Sequence, residues 1–148
     1  MDFDVIIIGG GFAGLTAANR CAEHGMTPLV LEAGAEPFYM CNSRIATGAL
    51  HVAYNSPEAP ADKIHETIMG NSRGTARADL SRAIATWSAT AFEWMKTEGA
   101  LFEDHPRRLD CRRCKGGPAA SYVGGLIKSF AIGLIAAETI ASARGEPN

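Results

Sequence analysis

Val5, Ile6, Ile7 and Ile8 form an unbroken apolar, β-branched run, and three glycines follow it at once. A run without alternation predicts a strand buried on both faces, as in a parallel sheet. From Gly14 to His24 the period changes. Leu15, Ala17, Ala18 and Ala22 suit a helix lying close against a sheet, and Gly25 stands where it should stop. Leu29, Val30 and Leu31 then predict a second short strand. Residues 4 to 32 therefore read as strand, glycine turn, helix and strand, a unit whose crossover is right-handed in nearly all proteins. The expected fold class is α/β with a parallel sheet.

From Ala33 to Pro60 no period persists, and Gly34, Pro37, Gly48, Pro57 and Pro60 punctuate the chain. The stretch predicts an extended, ligand-facing segment with one short strand near Leu50 to Tyr54. Ala61 to Met69 predicts a short helix carrying Ile64 and Ile68. Asp79 to Glu98 predicts a longer one, with Leu80, Ile84, Trp87, Ala91 and Trp94 as its buried stripe and Gly99 as its stop. Residues 103 to 125 are polar and irregular, and a last helix is expected from about Gly125 to Ala143. No internal repeat or low-complexity tract is visible.

The turn after the first strand carries the chemistry. Gly9, Gly11 and Gly14 satisfy G-x-G-x-x-G between a strand and a helix, the setting this motif needs. Gly9 allows the tight turn, Gly11 lets a pyrophosphate approach the backbone, and Gly14 allows helix and strand to pack. The pyrophosphate would sit on backbone N–H groups at the positive end of the helix dipole. Glu32 ends the second strand, 18 positions beyond Gly14, where a carboxylate can accept both hydroxyl protons of an adenosine ribose. The same charge repels a 2′-phosphate, so FAD or NAD is expected rather than NADP. The residues alone leave FAD and NAD open, since both present an ADP moiety.

Asp4 to Ala18 and Leu29 to Ala33 resemble the N-terminus of FAD-dependent oxidoreductases. Asn42 to Gly48, continuing through Val52 to Asn55, is similar to the second flavin-binding segment of the fumarate reductase and succinate dehydrogenase flavoprotein family, and most resembles its tricarballylate dehydrogenase-like members. The resemblance covers roughly residues 4 to 102, including Trp94 to Gly99. It implies a Rossmann-like FAD-binding domain in which Gly9, Gly10, Gly11, Phe12, Ala13, Gly14, Glu32 and Ala33 hold the ADP half. Asn42, Ser43 and Gly48 would line the flavin. Covalently flavinylated relatives carry a histidine in this segment, and none lies between Cys41 and Gly48, so noncovalent FAD is implied. Gly124, Gly125 and the helix after them resemble the segment that precedes the family's next strand.

Complete relatives also have a capping domain whose arginines and histidines grip carboxylates and move the proton. No segment here resembles it. Residues 1 to 148 are therefore expected to be the N-terminal portion of an FAD-binding domain, with an incomplete sheet, additional helices and no catalytic residue of their own. The complete enzyme would act on a CH–CH group of a di- or tricarboxylate, and the chain alone is expected to be inactive. Two rival expectations stand beside this one: an NAD-binding subunit, and a non-enzymatic module that assembles with a complementary polypeptide.

Composition narrows the partners further. Sixteen acidic residues against 14 basic ones give a net charge of -2, which offers no general attraction for nucleic acid. Arg107, Arg108, Arg112, Arg113 and Lys115 outnumber Asp110, a local cluster that reads as a solvated basic loop and could also attract a di- or tricarboxylate or mark a surface that faces the rest of an enzyme, and that lacks interleaved aromatics for stacking on bases. The longest uncharged run in the last helix, Ser129 to Ala137, is nine residues, so no transmembrane segment is expected. Cys21, Cys41, Cys111 and Cys114 are too irregular for a disulfide scaffold, and with no basic leader visible a cytoplasmic location is expected. Cys111 and Cys114 have half-zinc-site spacing, but only His105 lies near as a further ligand, so no metal is expected. His24, His51 and His65 are expected to be structural, and Trp87 and Trp94 to be core residues.

Overall fold

The structure is a computed structural model describing residues 2–46, 50–53, 55–73, 75–102 and 125–145. Gly48, Tyr54, His105, the basic cluster from Arg107 to Lys115, Cys111, Cys114 and Gly124 lie outside the described residues. Strand β1, Val5–Ile8, pairs in parallel with β2, Pro28–Leu31, and helix α1, Phe12–Glu23, connects them. Helices α2, Ala61–Asn71, α3, Ala78–Thr97, and α4, Gly125–Gly145, follow. The α/β class, the parallel pairing and the order of the helices agree with the sequence pattern. The chain forms two units, one of residues 1–48 and 129–148 and the other of residues 49–128.

In the first unit, the register of Val5 opposite Pro28 is fixed at its start by Asp4. The Asp4 N–H donates to Thr27 O at 3.0 Å, and its carboxylate accepts the Thr27 N–H at 2.8 Å and an Arg144 guanidinium N–H at 2.8 Å. Gly25, at φ +74, ends α1 in the left-handed region that favours glycine. The core is small: Cys21, Met26 and Ala137 are buried together, with Val5, Ile140 and Ala141 packed on them. Helix α4 approaches α1 at Gly133, where a Cβ would stand 2.6 Å from Ala13 O and 2.8 Å from Thr16 Cβ. Phe130 stacks on Phe12 beside this contact, with ring centroids 4.8 Å apart. Further along, Glu138 accepts from Arg20 at 2.6 Å and lies 3.2 Å from His24 Nε2.

One strand expectation fails. β1 is not buried on both faces: Ile6 is 61% and Ile8 88% exposed. Val5 joins the Cys21 cluster and Ile7 lies beside Gly14, so the alternate residues Ile6 and Ile8 point to the opposite face of the sheet. A continuous apolar run shows that both faces suit burial, without showing that both are covered.

The second unit is built on α2 packed against α3, with Ile64 and Ile68 of α2 and Ile84, Ala85, Ala91 and Met95 of α3 buried. The expected stripe of α3 is turned. Leu80 is exposed, Trp87 and Trp94 are half-buried, and Ser81 and Ser88 take their places inside. Both hydroxyls are bonded: Ser81 Oγ lies 2.9 Å from His65 Nδ1, and Ser88 Oγ lies 2.9 Å from Pro57 O and 3.1 Å from Ala85 O. A bonded hydroxyl can occupy a close helix contact that an indole would overfill. The strand expected near Leu50 is instead one isolated bridge, in which Val52 and Asn55 exchange backbone hydrogen bonds of 2.9 and 2.8 Å.

By length and composition, α4 is long and apolar enough to cross a membrane. Its residues from Ser129 belong to the first unit, tied there by the Gly133 contact and the Glu138 ion pairs.

Candidate functional site

The turn between β1 and α1 takes its shape from backbone contacts. Gly9 N–H donates to Leu31 O at 2.8 Å, extending the β1–β2 ladder by one bond. Gly9 then adopts φ +104, which a side chain would oppose. At Gly14 a Cβ would overlap Gly9 O, so α1 can start this close to the strand only with glycine there. The first rung of α1 is Leu15 N–H to Gly11 O at 3.0 Å, leaving the N–H groups ahead of it outside the helical ladder. Gly11, the residue before the helix, has no side chain to cap them.

Ser43 fills part of that role from a distance. Its Oγ accepts the Phe12 N–H at 2.9 Å, which leaves the hydroxyl proton available to an anion at the helix start. Ser43 is held in a turn closed by Arg44 N–H to Cys41 O at 3.1 Å, and Asn42 is exposed in the same turn.

Glu32 reaches back from the end of β2 to the glycine turn. Its Oε2 accepts the Gly10 N–H at 2.6 Å and its Oε1 accepts the Gly34 N–H at 3.0 Å. These donors, Gly10 foremost, hold its carboxyl below the usual carboxylate range. A carboxylate has about four acceptor sites, so lone pairs remain on both oxygens for the two ribose hydroxyls. Ala33, exposed beside it, adds its N–H to the same field.

The structure thus brings Gly9, Gly10, Gly11, Phe12, Ala13, Gly14, Glu32, Ala33 and Ser43 to one corner of the first unit, with Asn42 at its edge. Gly48 falls outside the described residues. Two residues that pattern alone does not single out are also present. The Tyr39 hydroxyl donates to Gly10 O at 2.6 Å, and the Arg44 guanidinium lies over the Tyr39 ring, 5.0 Å from its centroid. The trace they leave in the sequence is Gly34, where a Cβ would overlap Tyr39 Cβ.

The other candidates play structural parts. His24 pairs with Glu138, His65 with Ser81, and His51 is buried, its pKa pushed down by that burial. Among the described residues no group of three His, Cys, Asp or Glu could hold a metal. The corner has the parts that an ADP group would need: backbone donors at a helix start that would suit the pyrophosphate, a fixed anion that would suit the ribose, and glycine where bulk would intrude. These residues fit the nucleotide half of a flavin dinucleotide.

A family model described as FAD binding domain matches residues 4–143. The chain is 29% identical over 102 residues to an L-aspartate oxidase of Streptomyces coelicolor, covering 68% of this chain and 17% of that protein. It is 29% identical over 105 residues to a vinyl phenol reductase of Lactiplantibacillus plantarum, covering 68% of this chain and 21% of the other. It is also 44% identical over 59 residues to a flavin-containing amine oxidase of Oncorhynchus mykiss, covering 37% of this chain and 11% of that one. The chain therefore spans about a fifth or less of the length of these relatives.

Proposed function

The chain belongs to the family of FAD binding domains and takes FAD as its cofactor, and from that premise we propose that it is the nucleotide-holding part of a flavin-dependent oxidoreductase. The observation that carries this reading is Glu32, fixed by two backbone N–H groups beside a glycine turn in which a side chain at position 14 would overlap the backbone. Bound FAD supplies the hydride chemistry. The chain's own residues bind and orient: Glu32 takes the ribose hydroxyls, the start of α1 and the Ser43 hydroxyl take the pyrophosphate, and Asn42 and Gly48 are the residues the resemblance assigns to the flavin side. FAD is held noncovalently in this reading, so acid precipitation should leave the yellow colour in the supernatant.

The substrate in the complete enzyme is a di- or tricarboxylate oxidised or reduced at a CH–CH bond. The resemblance of residues 42 to 48 supports this, as does the basic cluster from Arg107 to Lys115. The family resemblance carries over cofactor-binding residues alone, so the chain by itself should bind FAD without turnover. Titrating the purified chain with FAD, then assaying it with succinate or tricarballylate and a dye acceptor, tests both statements. Failure to bind FAD would sink the reading, and turnover by the chain alone would sink the division of labour. The location proposed is the cytoplasm, with α4 serving as a packing helix of the dinucleotide unit; its ion-paired Glu138 supports that role.

A second reading, assembly with a complementary polypeptide, is favoured by Ile6 and Ile8, which stand 61% and 88% exposed on one face of the sheet. Sizing chromatography of the chain, alone and with the product of any adjacent gene, tests it. A free monomer in both runs would count against it.

A further inference from the structure

We propose that Tyr39 is a positioning residue for the dinucleotide, holding the peptide between Gly10 and Gly11 in its ligand-binding orientation through the Gly10 carbonyl. The proposal rests on the FAD reading above. A peptide joining two glycines turns over at little steric cost, since neither residue has a Cβ to oppose either orientation. Turned over, it would present a carbonyl oxygen where an anion needs an N–H. Because the peptide group is planar and trans, anchoring its oxygen on one side directs the Gly11 N–H to the other.

Tyr39 supplies that anchor. Its Oη donates to Gly10 O at 2.6 Å, while Glu32 Oε2 holds the Gly10 N–H at 2.6 Å. Two successive peptides of the turn are therefore fixed by two side chains arriving from different parts of the following segment. The phenol engages an acceptor and takes up none of the N–H donors of the helix start, of which the Phe12 N–H is held by Ser43.

The phenol is itself held. Arg44 lies 5.0 Å from the centroid of the Tyr39 ring and 5.3 Å from that of Phe38, and its Nη2 donates to Pro37 O at 3.3 Å. Tyr39 N–H donates to Glu36 O at 3.1 Å, closing a turn, and Gly34 leaves the space that Tyr39 Cβ needs. The segment touches the glycine turn a second time through Ser43 at the Phe12 N–H.

The test compares the full chain with Tyr39→Phe, which keeps the ring and removes the donor. FAD and ADP are titrated by calorimetry, and the Gly11 amide nitrogen is followed by NMR without ligand. The expected result is a loss of about 3- to 10-fold in affinity for both ligands, the size of one hydrogen bond, with a moved Gly11 resonance in the ligand-free protein. Equal or tighter binding by Tyr39→Phe, with the wild type binding normally, overturns the proposal and leaves the FAD reading standing. A wild type that binds neither FAD nor ADP overturns both. Should Tyr39→Phe fail to fold, Gly34→Ala displaces the same ring and should weaken ADP binding comparably; unchanged affinity there also overturns the proposal.

Discussion

Gly9 O occupies the space where Gly14 would carry its Cβ, so the strand and the helix of the dinucleotide unit meet through two residues without side chains. The contact makes Gly14→Ala a demanding substitution. Gly9 O belongs to the backbone and cannot rotate away, and overpacking of this kind costs about 1–3 kcal/mol. Urea denaturation should show a loss of that size, and FAD titration should show a larger relative loss, because the start of α1 is pushed off the site.

Glu32→Gln separates charge from shape. Glutamine keeps one acceptor oxygen, so one of the bonds from Gly10 and Gly34 is lost, and in the proposed binding mode one ribose hydroxyl would lose its charged partner. Hydrogen bonds to charged groups contribute about 1.5–3 kcal/mol, so FAD affinity should fall by about 10- to 100-fold in a flavin-fluorescence titration. A fall of less than 3-fold would argue against the ribose role. Because the Glu32 carboxyl titrates below its ordinary value, wild-type FAD affinity should also hold steady as pH falls from 8 to about 5.

The ion pairs at Glu138 predict a pH-dependent stability. Burial alone would push its carboxyl up, but Arg20 and His24 outweigh burial and leave it below the ordinary glutamate value. A depressed folded-state pKa contributes stability above the unfolded value, about 4.3, and loses it as pH falls through the folded one. Glu138→Gln should therefore be less stable than wild type by about 1 kcal/mol at pH 7, and the difference should vanish only as pH falls below the unfolded value and through the lower folded one. Equal melting temperatures at pH 7 would refute this.

Gly133→Ala tests the packing of α4 on α1. The added methyl meets Ala13 O, a backbone atom, and Thr16 Cβ within 3 Å, so α4 must shift. Thermal melting should show a loss of about 1–3 kcal/mol, and Gly145→Ala, which meets nothing within 4 Å, serves as the neutral control.

The dinucleotide unit was legible in the sequence because its requirements are local. Gly9, Gly11, Gly14 and Glu32 stand at spacings imposed by one strand, one turn and one helix, and the structure places them accordingly. Tyr39 was not legible, since its bond to Gly10 depends on the path of an irregular segment that no periodicity encodes. The stripe of α3 departs from the sequence pattern for a different reason: Trp87 and Trp94 are the most apolar choices by size, yet the tight contact goes to Ser81 and Ser88, whose hydroxyls find acceptors or donors on the same unit. The exposure of Ile6 and Ile8 shows a third limit, since a strand's own residues record which faces suit burial and carry no information on what lies against them.

The interrupted course of the first unit also has a consequence in time. Cys21 and Met26 leave the ribosome with the glycine turn, while Ala137, which completes their cluster, follows about a hundred residues later. At about 5–20 residues per second, the nascent βαβ unit waits on the order of 5 to 20 seconds with its small-residue helix face unsealed. During that interval Arg20 has no Glu138, and the chain depends on whatever shields a half-built core in the cell.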